Sequence, residues 1–176
     1  TTIDVAANKF TDSAGNNNSA SSQFNWSFDN IAPTITIAAK NSAGNVIADG
    51  ATTNNDSLLI TFTLNEAASN FALSDISVSG GQLSSFTSNS STVYSAVFKP
   101  SSAGETTIDV AANKFTDSAG NSNSASSQFN WSFDNIAPSI YTVALLSDNS
   151  AVEVQLSESA FSQNNGSGEL ATSDFQ

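Results

Sequence analysis

The side chains of this 176-residue chain that could do chemistry are almost all oxygen donors. Asp and Glu total sixteen, cysteine and histidine are absent, and the four cations, Lys9, Lys40, Lys99 and Lys114, are all lysines. Without thiolate or imidazole there is no nucleophile–base triad and no zinc–sulfur site. A net charge of −12 and the lack of arginine oppose binding to nucleic acid or to an anionic lipid surface. What carboxylates, amides and carbonyls do well is hold a hard cation, and Ca²⁺ takes roughly six to eight such oxygens. Ten residues are candidate ligands: Asp29, Asn30, Glu66, Asp75, Asp117, Asn121, Asp134, Asn135, Glu158 and Asp174. They are dispersed, with no contiguous EF-hand loop and no nonapeptide repeat, so only a fold can gather them.

The elements that would gather them are repeated. Thr1–Pro33 reads TTIDVAANKFTDSAGNNNSASSQFNWSFDNIAP, and Thr106–Pro138 is the same except for Ser122 in place of Asn17. Near-identity at a fixed offset marks tandem duplication of a whole unit. Residues 1–33 are then the C-terminal strands of one unit, 34–138 a complete unit, and 139–176 the N-terminal part of a divergent third. No targeting segment, initiator methionine or apolar run of about 18 residues is present, so no membrane insertion is expected. The chain reads as a piece of something longer.

Inside the complete unit the dominant period is two. Ile35/Ile37/Ala39, Leu58/Ile60/Phe62/Leu64, Ile76/Val78, Tyr94/Ala96/Phe98, Ile108/Val110 and Phe129/Trp131/Phe133 alternate with polar or small residues. Gly80-Gly81 reads as a hairpin turn leading to Leu83 and Phe86. Seven short strands in such a unit predict an all-β chain of tandem immunoglobulin-like seven-stranded β-sandwich domains, one complete and two partial. Phe62, Phe98, Phe129, Trp131 and, in the first unit, Trp26 are expected in cores, with Asn130 and Ser132 facing water. An isolated hairpin is marginal in water, so the first unit needs either a longer parent chain or a neighbouring molecule to complete it.

In a sandwich, alternate loops lie at opposite poles. The loop after the second strand (66–70), the loop after the sixth (116–121) and the incoming linker 28–33 share one pole. Asp29, Asn30, Glu66, Asp75, Asp117 and Asn121 are therefore expected to converge there on Ca²⁺. Asp134, Asn135, Glu158 and Asp174 repeat the set at the second junction, while Asp49 and Glu105 approach from the far pole. Pro33 and Pro138 shorten and stiffen the links. The competing reading is that these Asp and Asn side chains only shape turns by bonding nearby amides.

Several runs carry a family resemblance: LLITFTLNEA (58–67), SDISVSGG (74–81), TIDVAA (107–112), FTDSAGN (115–121) and FDNIAP (133–138). As a set they resemble the bacterial Ig-like repeats of large cell-surface adhesins. AVEVQLSE (151–158) and SDF (173–175) continue the likeness into the third unit, which departs from it by a shorter first loop and by the insert QNNGSG (163–168). The resemblance implies a non-catalytic extracellular stalk on the bacterial surface, often rigidified by Ca²⁺. Its partners would be neighbouring repeats of the same chain, and the ligand of its tip would lie outside this segment. Two other functions fit the composition: an Ig-like accessory or glycan-binding module of a secreted enzyme, or a laterally assembling filament. A glycosidase carboxylate pair would need a cleft that a small sandwich does not offer.

Overall fold

The alternation of apolar and polar residues becomes strands wherever one face has a partner to pack against. The computed structural model describes residues 1–163 and 166–175, so two residues of the QNNGSG insert lie outside the described residues. The first repeat supplies β1 (Thr2–Ile3) and β2 (Phe24–Asn25). The complete repeat supplies β3 (Ile35–Lys40), β4 (Val46–Ile47), β5 (Ala51–Thr53), β6 (Leu58–Leu64) and β7 (Ile76–Ser79). It continues with β8 (Gly81–Ser88), β9 (Val93–Pro100), β10 (Gly104–Val110) and β11 (Phe129–Phe133). β12 (Ile140–Leu145) and β13 (Val152–Leu156) follow. Helix is limited to single 3₁₀ turns at Leu73–Asp75 and Thr172–Asp174 among the described residues. Thr1–Phe133 and Asp134–Gln176 form two separate compact units.

In the complete repeat, a five-stranded sheet in the order β4-β3-β6-β9-β8 faces a four-stranded sheet in the order β5-β11-β10-β7. The nine strands exceed the seven expected. The additional ones, β4 and β5, are two and three residues long and too short to show an alternating pattern. β5 runs parallel to β11, pairing Ala51 with Trp131 and Thr53 with Phe133. Every other named pairing is antiparallel.

The expected phase of the strands holds. Phe62, Phe98, Phe129 and Trp131 are buried, together with Leu58, Ile60, Ile108 and Val110. Phe98 of one sheet meets Trp131 of the other at 4.6 Å between ring centroids and 77° between planes. A second aromatic group centres on Phe71, which lies outside every strand and contacts Tyr94 at 5.0 Å and Phe115 at 4.9 Å. Asn130 and Ser132 are half-buried rather than facing water, because β5 lies beside β11. Trp26 is 40% exposed where its equivalent Trp131 is 1% exposed. The opposing sheet that buries Trp131 has no counterpart over β1 and β2, which form a two-stranded sheet of their own.

The hairpin expected at Gly80-Gly81 does not form. β7 pairs with β10 and β8 pairs with β9, so the two glycines carry the chain from one sheet to the other. Their lack of side chains is a packing requirement. A Cβ on Gly80 (φ +74°) would strike the Glu105 carbonyl, and one on Gly81 would strike the Lys99 carbonyl and the Phe98 ring. Gly81→Ala should therefore cost about 1–3 kcal/mol, the range for overpacking. Trp131→Ala should cost about 3–5 kcal/mol. Chemical denaturation of the two variants checks both figures, and a Trp131→Ala protein that unfolds at the wild-type midpoint would contradict the assigned core.

Candidate metal centre

The loop between β10 and β11 organises itself. Asn113 takes a left-handed conformation (φ 62°). Asn123 Oδ1 accepts the Lys114 and Phe115 N–H groups at 2.7 and 3.0 Å, while its Nδ2 donates to the Ala111 and Ser124 carbonyls. Asp117 then closes the tip: Oδ1 accepts the Asn121 N–H at 2.8 Å and Oδ2 accepts Asn121 Nδ2 at 2.8 Å. Asp12 makes the same bonds to Asn16, and Asn18 the same bonds as Asn123, although β1–β2 has no sandwich around it. The turns themselves form by local chemistry, with or without a sandwich around them.

In the complete repeat two further acids approach that turn. Asp29 arrives on the linker, where its Oδ1 accepts the Ile31 N–H at 3.0 Å and its carbonyl accepts Asn121 Nδ2 at 3.2 Å. The linker is tied down again where the Ser124 N–H donates to the Pro33 carbonyl at 3.0 Å, and Pro33 is buried. Glu66 follows β6 by two residues, and its loop joins the turn through the Ser69 N–H to the Thr116 carbonyl and the Thr116 N–H to Asn70 Oδ1. Asp29, Glu66 and Asp117 each place a carboxylate oxygen so that all three lie within 4.8 Å of one another.

The electrostatics follow from this crowding. Glu66 is half-buried, and partial desolvation, then the negative charges of Asp29 and Asp117, hold its carboxyl above its ordinary value of 4.5. Asn65 Nδ2, at 3.4 Å from Glu66 Oε1, opposes the shift. Asp117 is only 4% exposed, yet the Asn121 side chain, against the cost of desolvation, holds it below 3.8. Three carboxylates that repel one another beside the Asn121 amide make a donor set suited to a hard divalent cation. They fall short of its full coordination, which carbonyl and water oxygens would complete.

Of the ten candidates, Asp29, Glu66, Asp117 and Asn121 come together, and Asn30 is exposed beside them in sequence. Asp75 stands apart, because its Oδ2 accepts the Ala72 N–H at 2.8 Å and starts a 3₁₀ turn. Asp174 does the same for Ala171. Asp134 repeats the Asp29 turn by accepting the Ile136 N–H at 3.0 Å, and Asn135 is exposed. Asp134, Glu158 and Asp174 do not assemble into a three-acid group among the described residues. Glu158 shows why its setting differs from that of Glu66. The residue before it is Ser157, whose hydroxyl accepts the Ser139 N–H, so no amide bonds Glu158 Oε1, which is buried without a hydrogen-bond partner.

No second acid accompanies Asp49 in the groove of about 280 Å³ that Ile35, Asp49 and Phe129 help to line. Asp49 Oδ1 accepts the Asn130 N–H at 2.7 Å.

A family model described as a bacterial Ig-like domain matches residues 29–133, more than half of the chain. The matched span opens at Asp29 and so takes the linker with the sandwich that follows it. No curated protein and no solved structure matches the chain.

The two pKa shifts have opposite consequences. The Glu66 contribution to stability is present below its ordinary range and is lost as pH rises through the raised value. The Asp117 contribution is present above 3.8 and is lost as pH falls through the lowered value. In chelator at neutral pH, Glu66→Gln should therefore raise the melting temperature, and the gain should shrink as pH is lowered through the carboxylate range. Asp117→Asn should lower it at neutral pH, a loss that shrinks in acid. Thermal melts of both variants across pH check the two signs.

Proposed function

The chain belongs to the bacterial Ig-like domain family, a structural and non-catalytic kind of module, and from that premise we propose that it is a stalk segment of a large bacterial surface adhesin. Its work is mechanical. It would stand outside the cell and space a distal binding region away from the surface for attachment or biofilm formation, with neighbouring repeats as its contacts. The observation that carries this reading is the docked linker: Asp29 and Pro33 are hydrogen-bonded into the sandwich they precede, so the connection is part of the domain. A spacer needs stiff links, and repeats that differ by a single residue over their shared block suit serial lengthening.

Calcium belongs to the same proposal. Asp29, Glu66 and Asp117, with Asn121, are the residues that would hold it, and when bound it would supply the positive charge that their carboxylates lack. The linker acid would then be fastened to two loops of the sandwich. Extracellular modules bind Ca²⁺ with dissociation constants of about 10⁻⁴–10⁻³ M, so such a site fills outside a cell and empties inside it.

The glycan-binding alternative needs rings on a surface. In the complete repeat no aromatic ring is exposed, and Trp131 lies in the core, which favours the spacer.

A strand of about seven residues covers roughly 23 Å, so with its loops each added repeat should lengthen the particle by on the order of 40 Å. Small-angle scattering on chains of one, two and four complete repeats checks this. A length that does not grow with repeat number, or retention on a polysaccharide column, would overturn the spacer role. Ca²⁺ at ten times its dissociation constant should add about 1.4 kcal/mol to stability. Asp29→Ala should remove that gain, and identical melts of the wild type in calcium and in chelator would refute the metal.

A further inference from the structure

The two sheets of the complete repeat turn faces of opposite charge to solvent. No Asp or Glu occurs in any strand of the five-stranded sheet, and its charges are Lys40 and Lys99. Both lysines are exposed and stand on the outward side, next to the buried Ala39 and Phe98. The four-stranded sheet has no lysine, and its charges are Glu105 and Asp109. These acids alternate with the buried Thr106, Ile108 and Val110 of β10, so they also point outward. In a chain of net charge −12, two of the three lysines in residues 34–133 thus share one acid-free sheet. Among the described residues no ion pair engages either of them.

The spacings of the two charge pairs agree. Lys40 shares a row with Leu59 and Val97, and Lys99 lies two residues further along β9. Two strand separations and two residues of rise put the lysine α-carbons about 12 Å apart. Glu105 and Asp109, four residues apart on one strand, are separated by about 13 Å.

We propose that the five-stranded face of one copy of this chain stacks on the four-stranded face of a second copy, with Lys40 and Lys99 reaching Glu105 and Asp109. The occupant is another copy because the same repeat carries both charge pairs at matching spacing. Between the lysines and the far end of the sheet, Leu59 is 46% exposed and would lose water against the small side chains around Thr107. The two faces differ, so the contact is heterologous and each docked copy offers a fresh face for the next. A face roughly 20 Å square buries about 800 Å² over both partners, below the ~1,200–2,000 Å² of a stable interface. A single contact is therefore weak, and repeats in series would zip two chains together. Stacking of this kind requires neither Ca²⁺ nor the spacer role.

Sedimentation equilibrium of the full chain in ~0.15 M salt tests it. With a dissociation constant of about 1 mM per contact, the weight-average mass should be about twice that of one chain at ~1 mM and within about a fifth of it at ~0.1 mM. Lys40→Glu with Lys99→Glu should hold the mass at one chain. Glu105→Lys with Asp109→Lys should do the same, although it makes the chain less negative and would favour nonspecific association. An equimolar mixture of the two double variants should recover the stacking, because each then meets the opposite charge on the other. All four side chains lie outside the core, so both variants should melt close to the wild type. A wild-type mass that stays at one chain at ~1 mM would overturn the proposal. So would association that both double variants retain, or a mixture that stays monomeric.

Discussion

Everything in the complete repeat leans on one contact, the edge of Phe98 against Trp131 between the two sheets. The chain has no cysteine, so no covalent bond joins the layers, and packing alone must hold them in register. Consequences run outward from that pair. The Phe98 ring fills the space where a Gly81 side chain would begin, which forbids one there, and at this point the chain passes from one sheet to the other. On the opposite side the Trp131 carbonyl accepts the buried Thr106 hydroxyl at 2.7 Å, locking β10 to β11. Two aromatic rings thereby fix a sheet crossing, a strand pairing and the position of the loop that follows β10.

Local and long-range forces divide the work cleanly. The Asp–Asn and Asn-centred turns form identically in both copies of the repeated block, with and without a sandwich around them. Burial of the aromatic residues occurs in only one copy. Turn chemistry is thus written within about ten residues, whereas the core depends on partners far away in sequence. The candidate metal centre sits where the two meet: a locally made turn receives acids delivered by the linker and by the end of β6.

That division explains what was legible in the sequence. β3, β6, β9, β10 and β11 announced themselves because each buries one face, and period two records that directly. β4 and β5 are too short to have a period. Gly80-Gly81 has the composition of a hairpin, and nothing local reveals that β7 and β8 belong to different sheets. Phe71 anchors an aromatic cluster from outside any strand, so no alternation pointed to it. Within the site, Asp29, Glu66, Asp117 and Asn121 were reachable through loop topology. Asp75 and Asp174 were not separable from them, because an acid that starts a 3₁₀ turn looks the same on paper as one that faces a pole. The orphaned oxygen of Glu158 follows from Ser157 standing where the other repeat has Asn65, a one-residue change whose effect only the hydrogen bonds expose.

The bond from the Ser124 N–H to the Pro33 carbonyl joins residues 91 apart in the chain. Closing so long a loop costs entropy before it returns any contact, and folding slows as such separations grow. The seam at the front of the domain is therefore among its last parts to set, since its partner is delivered only after β10 has been made. A polypeptide emerging N-terminus first would carry each link slack until almost the whole following repeat had appeared, then draw it tight in one event. Rigidity would propagate down such an array in steps one domain long, each step trailing the leading end by about a hundred residues.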